Sequence, residues 1–122
     1  MINEGIKGII EENAMGLATI GVDGNPHNIA VAYVKVVSDN ELIISDNYLE
    51  ETLKNIENNP KVSLVVWSEN WKESCIGYEL KGSAEYFNEG KWIDFIKKIP
   101  INKSEPCKGA IVIKINNVKV LS

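Results

Sequence analysis

The sequence has no arginine: all 13 basic residues are lysine, set against 17 acids, for a net charge of −4 over 122 residues. Bidentate guanidinium recognition of phosphate or carboxylate is therefore closed to it. The charge balance also argues against a nucleic-acid partner, which would need clustered cations. There is one histidine, His27, and there are two separated cysteines, Cys75 and Cys107, with no C-x-x-C pair. Those are too few ligands for a zinc site, so no metal is expected, and the thiols read as small hydrophobes. No run approaches the roughly 18 apolar residues of a membrane span. The start, MINEGIKGII, has no signal-peptide pattern, so a cytoplasmic protein without a membrane partner is expected. G-x-S-x-G and H-E-x-x-H are absent, and GVDGNP carries too few glycines for a phosphate loop. No catalytic residue is assigned.

What is present is patterned for a small β protein. Ile2, Ile6, Ile9 and Ile10 repeat at helical spacing behind a possible Asn3 cap, predicting a first helix over 3–13. MGLATIGV reads as a strand closed by the Asp23-Gly24 turn, HNIAVAYVKVV as a second strand over 27–37, and ELIIS as a third. Leu49, Leu53 and Ile56 mark a second helix, capped by Asp46 or Asn47 and stopped at Asn58-Asn59-Pro60. KVSLVVWS is a fourth strand. CIGYELKGSAEYF is a fifth, with Ile76, Tyr78, Leu80, Gly82, Ala84 and Tyr86 facing inward and Gly82 marking a bend. A short helix around Trp92 and a closing strand, KGAIVIKINNVKVL, complete the chain. The fold class is mainly β: a six-stranded antiparallel split barrel with short helices at its rims, one domain over 1–122.

The second strand is apolar on both faces, which an ordinary one-sided sheet strand is not. One face carries His27, Ile29, Val31 and Tyr33; the other is small, with Asn28, Ala30 and Ala32. If the second strand pairs with the third, the small face lies beside the start of the second helix, where IISDN ends. A helix start offers unpaired N–H groups and positive dipole to an anion. A flat phosphorylated ring suits such a groove; alanines that only accommodate barrel curvature suit the same pattern. His27, directly after a turn proline, reads as a rim histidine packing its ring.

The order and spacing of LATIGVDGNPHNIAVAYVKV, LKNIENNPKVSLVV, YELKGSAEYF and AIVIKINNVKVL resemble the FMN-binding split-barrel proteins related to pyridoxamine 5'-phosphate oxidase, in particular the small ones that are little more than the barrel. The resemblance implies a homodimer holding FMN at the subunit interface. The implied cofactor contacts fall on Asn28, Ile29 and Ala30 of the second strand, on Ser45, Asp46 and Asn47 at the end of the third, and on Glu51 and Thr52 at the helix start. An unknown redox partner or small substrate completes the expected set.

The chain departs from the family where relatives commonly carry a basic phosphate ligand, since Glu51-Thr52 stands there. Two like charges 5 Å apart cost about 3 kcal/mol at an effective dielectric near 20. Unless Glu51 turns to solvent, or Lys54 or Lys61 substitutes, FMN binds weakly. Two alternatives follow, a deazaflavin-binding split barrel and a cofactor-free dimeric binding or structural module. The leading expectation is a flavin-dependent oxidoreductase or electron carrier.

Overall fold

Burial that alternates residue by residue sets the strands of the computed structural model, which describes residues 1–99 and 106–121. In chain order the elements are α1 (Glu4–Glu12), β1 (Met15–Ile20), β2 (Pro26–Val31), β3 (Val34–Ser38), β4 (Glu41–Asp46), α2 (Glu51–Asn58), β5 (Lys61–Trp67), α3 (Trp71–Ser74), β6 (Gly77–Phe87), α4 (Lys91–Lys97) and β7 (Gly109–Leu121). The strands form one antiparallel sheet in the order β2-β1-β5-β6-β7-β4-β3. Met15, Leu17 and Thr19 of β1 are buried while Gly16, Ala18 and Ile20 are half-exposed, the period of two that a one-sided strand demands.

That order closes the barrel. β2 and β3 are the two edges of the sheet, yet only Ala32 and Tyr33 separate them in sequence. Three peptide links span at most about 10 Å, so the sheet must curl until its edges nearly meet. The chain itself bridges the split, helped by one rung from the Ser45 N–H to the Tyr33 carbonyl at 3.3 Å. The mainly β split barrel expected from the sequence is therefore present, with seven strands instead of six. The expected second strand over 27–37 breaks at Ala32-Tyr33 because its halves belong to opposite edges. The expected pairing of the second and third strands therefore holds for the half that is β3, which pairs with β4, and fails for the half that is β2, which pairs with β1 and carries Asn28 and Ala30 out of the pairing with β4.

The barrel interior is filled by Leu17, Leu42, Ile44, Leu64, Leu80, Ile111 and Ile113, with Ile6 and Ile10 of α1 plugging one side. Truncating such a residue to alanine costs about 2–5 kcal/mol. A second, smaller core lies outside the sheet, where Ile93 and Ile96 of α4 cover Ile43, Ala110 and Val112. Cys107 belongs to it, a small hydrophobe as expected, whereas Cys75 is exposed with φ 52°. Residue Ile76, expected to face inward, is 43% exposed, because β6 begins one residue later at Gly77. α3 was not legible in the sequence: its four residues bury nothing and follow no apolar stripe.

Gly82 is the pivot of β6. The register with β7 shifts there, from Lys81↔Asn117 to Gly82↔Ile115, leaving Asn116 as the extra residue of a bulge. A Cβ on Gly82 would strike the Lys114 backbone carbonyl, so the close approach of the two strands requires glycine.

Candidate functional site

Where the barrel splits, the chain leaves a cavity. It measures about 380 Å³ and is lined by Ala30, Val31, Ala32 and Tyr33 on one side and by Ile44, Ser45, Asn47, Tyr48 and Leu49 on the other. The methyl groups of Ala30 and Ala32 face outward because β2 alternates: Val31 turns into the core and Ile29 packs partly against it. Tyr33 and Tyr48 supply aromatic surface at the rim, Tyr48 being 73% exposed. Sequence reasoning missed both tyrosines. Their signal was the tight strap between β2 and β3, visible only once those strands are at opposite edges.

The floor of this cavity is tied down by the turn between β4 and α2. Ser45 Oγ donates to Asn47 Oδ1 at 2.7 Å, and the Cys107 N–H donates to the same oxygen at 3.0 Å. Asp46 points the other way. Its Oδ1 accepts from the Leu49 N–H at 2.9 Å and its Oδ2 from the Tyr86 hydroxyl at 3.0 Å, while its carbonyl accepts from the Lys108 N–H. Asp46 does not line the cavity. It organises the turn before α2 instead of capping the helix, which begins at Glu51 with Glu50 at the N-cap position and no side-chain cap. Burial first, then the hydrogen bond and charge of Asp46, push the Tyr86 hydroxyl up to about 12.

The start of α2 is acidic. Glu50 and Glu51 are exposed, and Glu51 Oε2 lies 3.3 Å from His27 Nδ1. His27 is thus a partner of Glu51 and not merely a packed ring, a pairing that the spacing of the two residues in sequence gave no sign of. Thr52 is only 1% exposed, turned into the body beside Asn55, whose amide donates to Thr19 Oγ1 at 3.0 Å. Between α2 and the β1–β2 turn runs a groove of about 600 Å³ lined by Asp23, Glu50, Glu51 and Lys54 among others. Asp23 is held below the usual carboxylate range by the backbone N–H and side-chain amide of Asn25, so it is a fixed negative charge.

The expected site residues therefore separate by address. Ala30, Ser45 and Asn47 converge on the cavity. Asn28 lies on the same outer face as Ala30 but further along β2, with its Oδ1 near Gly16. Ile29 faces the core, Asp46 faces Tyr86, Glu51 pairs with His27, and Thr52 is buried. Lys61 is exposed at the start of β5, beside Pro26 and Lys81 on another groove. Among the described residues no three His, Cys, Asp or Glu side chains are placed to hold a metal, and no helix is long and apolar enough to cross a membrane.

Comparison with known proteins matches this geometry to a family. The sequence model described as pyridoxamine 5'-phosphate oxidase matches residues 2–121. An uncharacterised protein of Methanocaldococcus jannaschii is 34% identical, over 89% of this chain and 73% of its own length. The pyridoxine/pyridoxamine 5'-phosphate oxidase of Thermosynechococcus vestitus is 29% identical over 75% of this chain, which spans only 41% of that enzyme. Among solved structures, HupZ of Group A Streptococcus superimposes with a TM-score of 0.89 at 25% identity, covering 99% of this chain and all of its own. An FMN-binding protein from Syntrophomonas wolfei shares the fold, with a TM-score of 0.81 at 19% identity over 95% of this chain and 83% of that one.

Proposed function

This chain belongs to the pyridoxamine 5'-phosphate oxidase family, and from that premise we propose that it is a homodimeric flavin-binding protein serving as an oxidoreductase or electron carrier. The observation that carries the reading is the cavity in the split, whose walls are the Ala30 and Ala32 methyls and whose rim carries Tyr33 and Tyr48. Small walls let a planar ring lie against the β2 backbone, and tyrosine rings add stacking surface. The Ser45–Asn47 turn is pinned by its own hydrogen bonds, so it meets a ligand as a rigid edge. A bound flavin supplies the electron chemistry; the chain supplies position and polarity.

For FMN the fit is divided. The ring end finds an apolar, aromatic-edged cavity. The phosphate end would reach toward α2, where Glu51 and His27 sit about 10 Å along β2 from Ala30, and it finds carboxylates there.

The homodimer belongs to the same reading. The outer face of β2, β1 and β5 presents Asn28, Ala18 and Ser63 in one row and Ala30, Gly16 and Val65 in the next, all exposed or half-exposed. A second copy seated there would cover the open side of the cavity.

The test is spectroscopic. Protein purified from cells, or mixed with flavin and desalted, should carry the two visible bands of an oxidised flavin; a single band at shorter wavelength would assign a deazaflavin. Ala30→Phe should abolish the bound signal with little change in melting temperature, because the residue is exposed and the new ring fills the cavity. Retention of flavin by Ala30→Phe would place the site elsewhere.

A further inference from the structure

Resting on the flavin reading above, we infer that this pocket selects against a terminal phosphate and prefers a flavin whose ribityl tail ends in a hydroxyl group. At the start of α2, where the resemblance implies the phosphate contacts, the groove is acidic and not basic. Glu50 and Glu51 occupy the helix start, Asp23 faces them across the groove, and Lys54 is the one ammonium among the residues that line it. Asp23 keeps its charge through its hydrogen bonds to Asn25. Glu51 Oε2 lies 3.3 Å from His27 Nδ1, which sets the carboxylate beside β2 although most of the side chain is exposed. The Thr52 hydroxyl, the one neutral donor the sequence offered at this point, is buried against the sheet. With no arginine in the chain, no side chain of this protomer can grip a phosphate bidentately.

Donor and acceptor chemistry gives the preference its direction. A carboxylate only accepts hydrogen bonds, and so does a phosphate dianion, so the two meet without a shared proton and with like charge. A tail hydroxyl donates, and the carboxylates of Glu50 and Glu51 are acceptors for it. Rim and ligand are complementary for a polyol and mismatched for a phosphate monoester. At an effective dielectric near 40, between the near-surface value of about 20 and that of water, a like charge about 6 Å away weakens binding by roughly tenfold.

Parallel titrations of riboflavin and FMN into the wild-type protein, followed by quenching of flavin fluorescence at low salt, test this. Riboflavin should bind about tenfold more tightly than FMN, and added salt should narrow the gap by screening the repulsion. Glu51→Gln, at a side chain 71% exposed, should strengthen FMN binding several-fold and leave riboflavin within about twofold. Equal affinities, or tighter FMN, would overturn the inference and leave the flavin reading intact; an ammonium from a second copy would then be answering the phosphate. If neither flavin binds at millimolar concentration, the flavin reading itself fails and this inference with it. An unchanged FMN affinity in Glu51→Gln would likewise overturn the role given to the acidic rim.

Discussion

Asp46 shows how a side chain with the right chemistry for a site can be spent on architecture. It is 1% exposed, and its two oxygens are taken by the Leu49 N–H and the Tyr86 hydroxyl. A buried carboxylate without partners would be strongly unfavourable; two donors make it tolerable and fix the turn that carries Asn47 and Tyr48 to the cavity. The raised Tyr86 hydroxyl is the other side of that bond, and it sets a pH dependence. The folded chain favours the neutral hydroxyl, so stability is whole below the ordinary tyrosine value of 10.0 and falls as pH rises from there toward about 12, where the unfolded tyrosine is already ionised. Tyr86→Phe should flatten this fall in urea unfolding midpoints taken between pH 9 and pH 11, because it removes the titrating hydroxyl. A slope equal to that of the wild type would assign the alkaline loss to other groups. Gly82 makes the complementary point about backbone. Gly82→Ala should cost about 3 kcal/mol in urea unfolding, since the added methyl meets a carbonyl oxygen that only a shift of β7 can relieve.

At the scale of elements, the two sheet edges are treated differently. The β3 edge is blocked. Glu11 of α1 accepts from the Val36 N–H at 2.8 Å, with Lys35 Nζ at 3.3 Å from the other carboxylate oxygen. Helix α1, capped by Asn3 through the Ile6 N–H, thereby closes a strand that would otherwise offer its amide to another chain. Glu11→Ala should cost about 1–3 kcal/mol, because it orphans a partly buried N–H, and should speed amide exchange at Val36. Protection of Val36 equal to that in the wild type would remove the clamp. Among the described residues no comparable helix covers the outer face of the β2 edge, and that is the edge beside the cavity. An edge left open beside a pocket is where the proposed second copy belongs.

On the scale of the whole molecule, the exposed apolar surface is uneven. Trp67, Trp71, Ile76 and Val120 are all exposed, and Val65, Trp67, Trp71, Gly77 and Leu121 line a groove of about 430 Å³ at one end of the sheet. Together with the small residues of β2, β1 and β5, this surface suits association. In a two-fold dimer one substitution appears on both sides, so Ala18→Glu on the outer face should shift the proposed dimer toward monomer in sedimentation velocity at micromolar concentration. Flavin binding should fall in parallel. A wild-type protein that sediments as a monomer would remove the two-chain site.

The residue pattern by itself determined the type of every element but α3, the mainly β class, the Asn3 cap and the Gly82 bend, because each depends on local periodicity or on one side chain's size; which of the two cysteines is buried it did not. The spaced motifs of β1, β2, α2, β6 and β7 also carried the family. What the sequence could not decide was where the long apolar run over 27–37 breaks: the inward residues change phase, from Ile29 and Val31 to Val34 and Val36, but apolar residues on both faces hide the change, and only the sheet order puts the halves on opposite edges. From that one break follow the seventh strand, the separation of β2 from β4, the Tyr33 strap and the cavity beneath it. Tertiary structure alone also decided which polar residues face the cavity. Ser45, Asp46 and Asn47 are consecutive, yet one donates along the turn, one turns to Tyr86 and one accepts from Cys107, because each oxygen takes the nearest buried donor and those donors come from β6 and the segment just before β7, some 40 and 60 residues away in the chain.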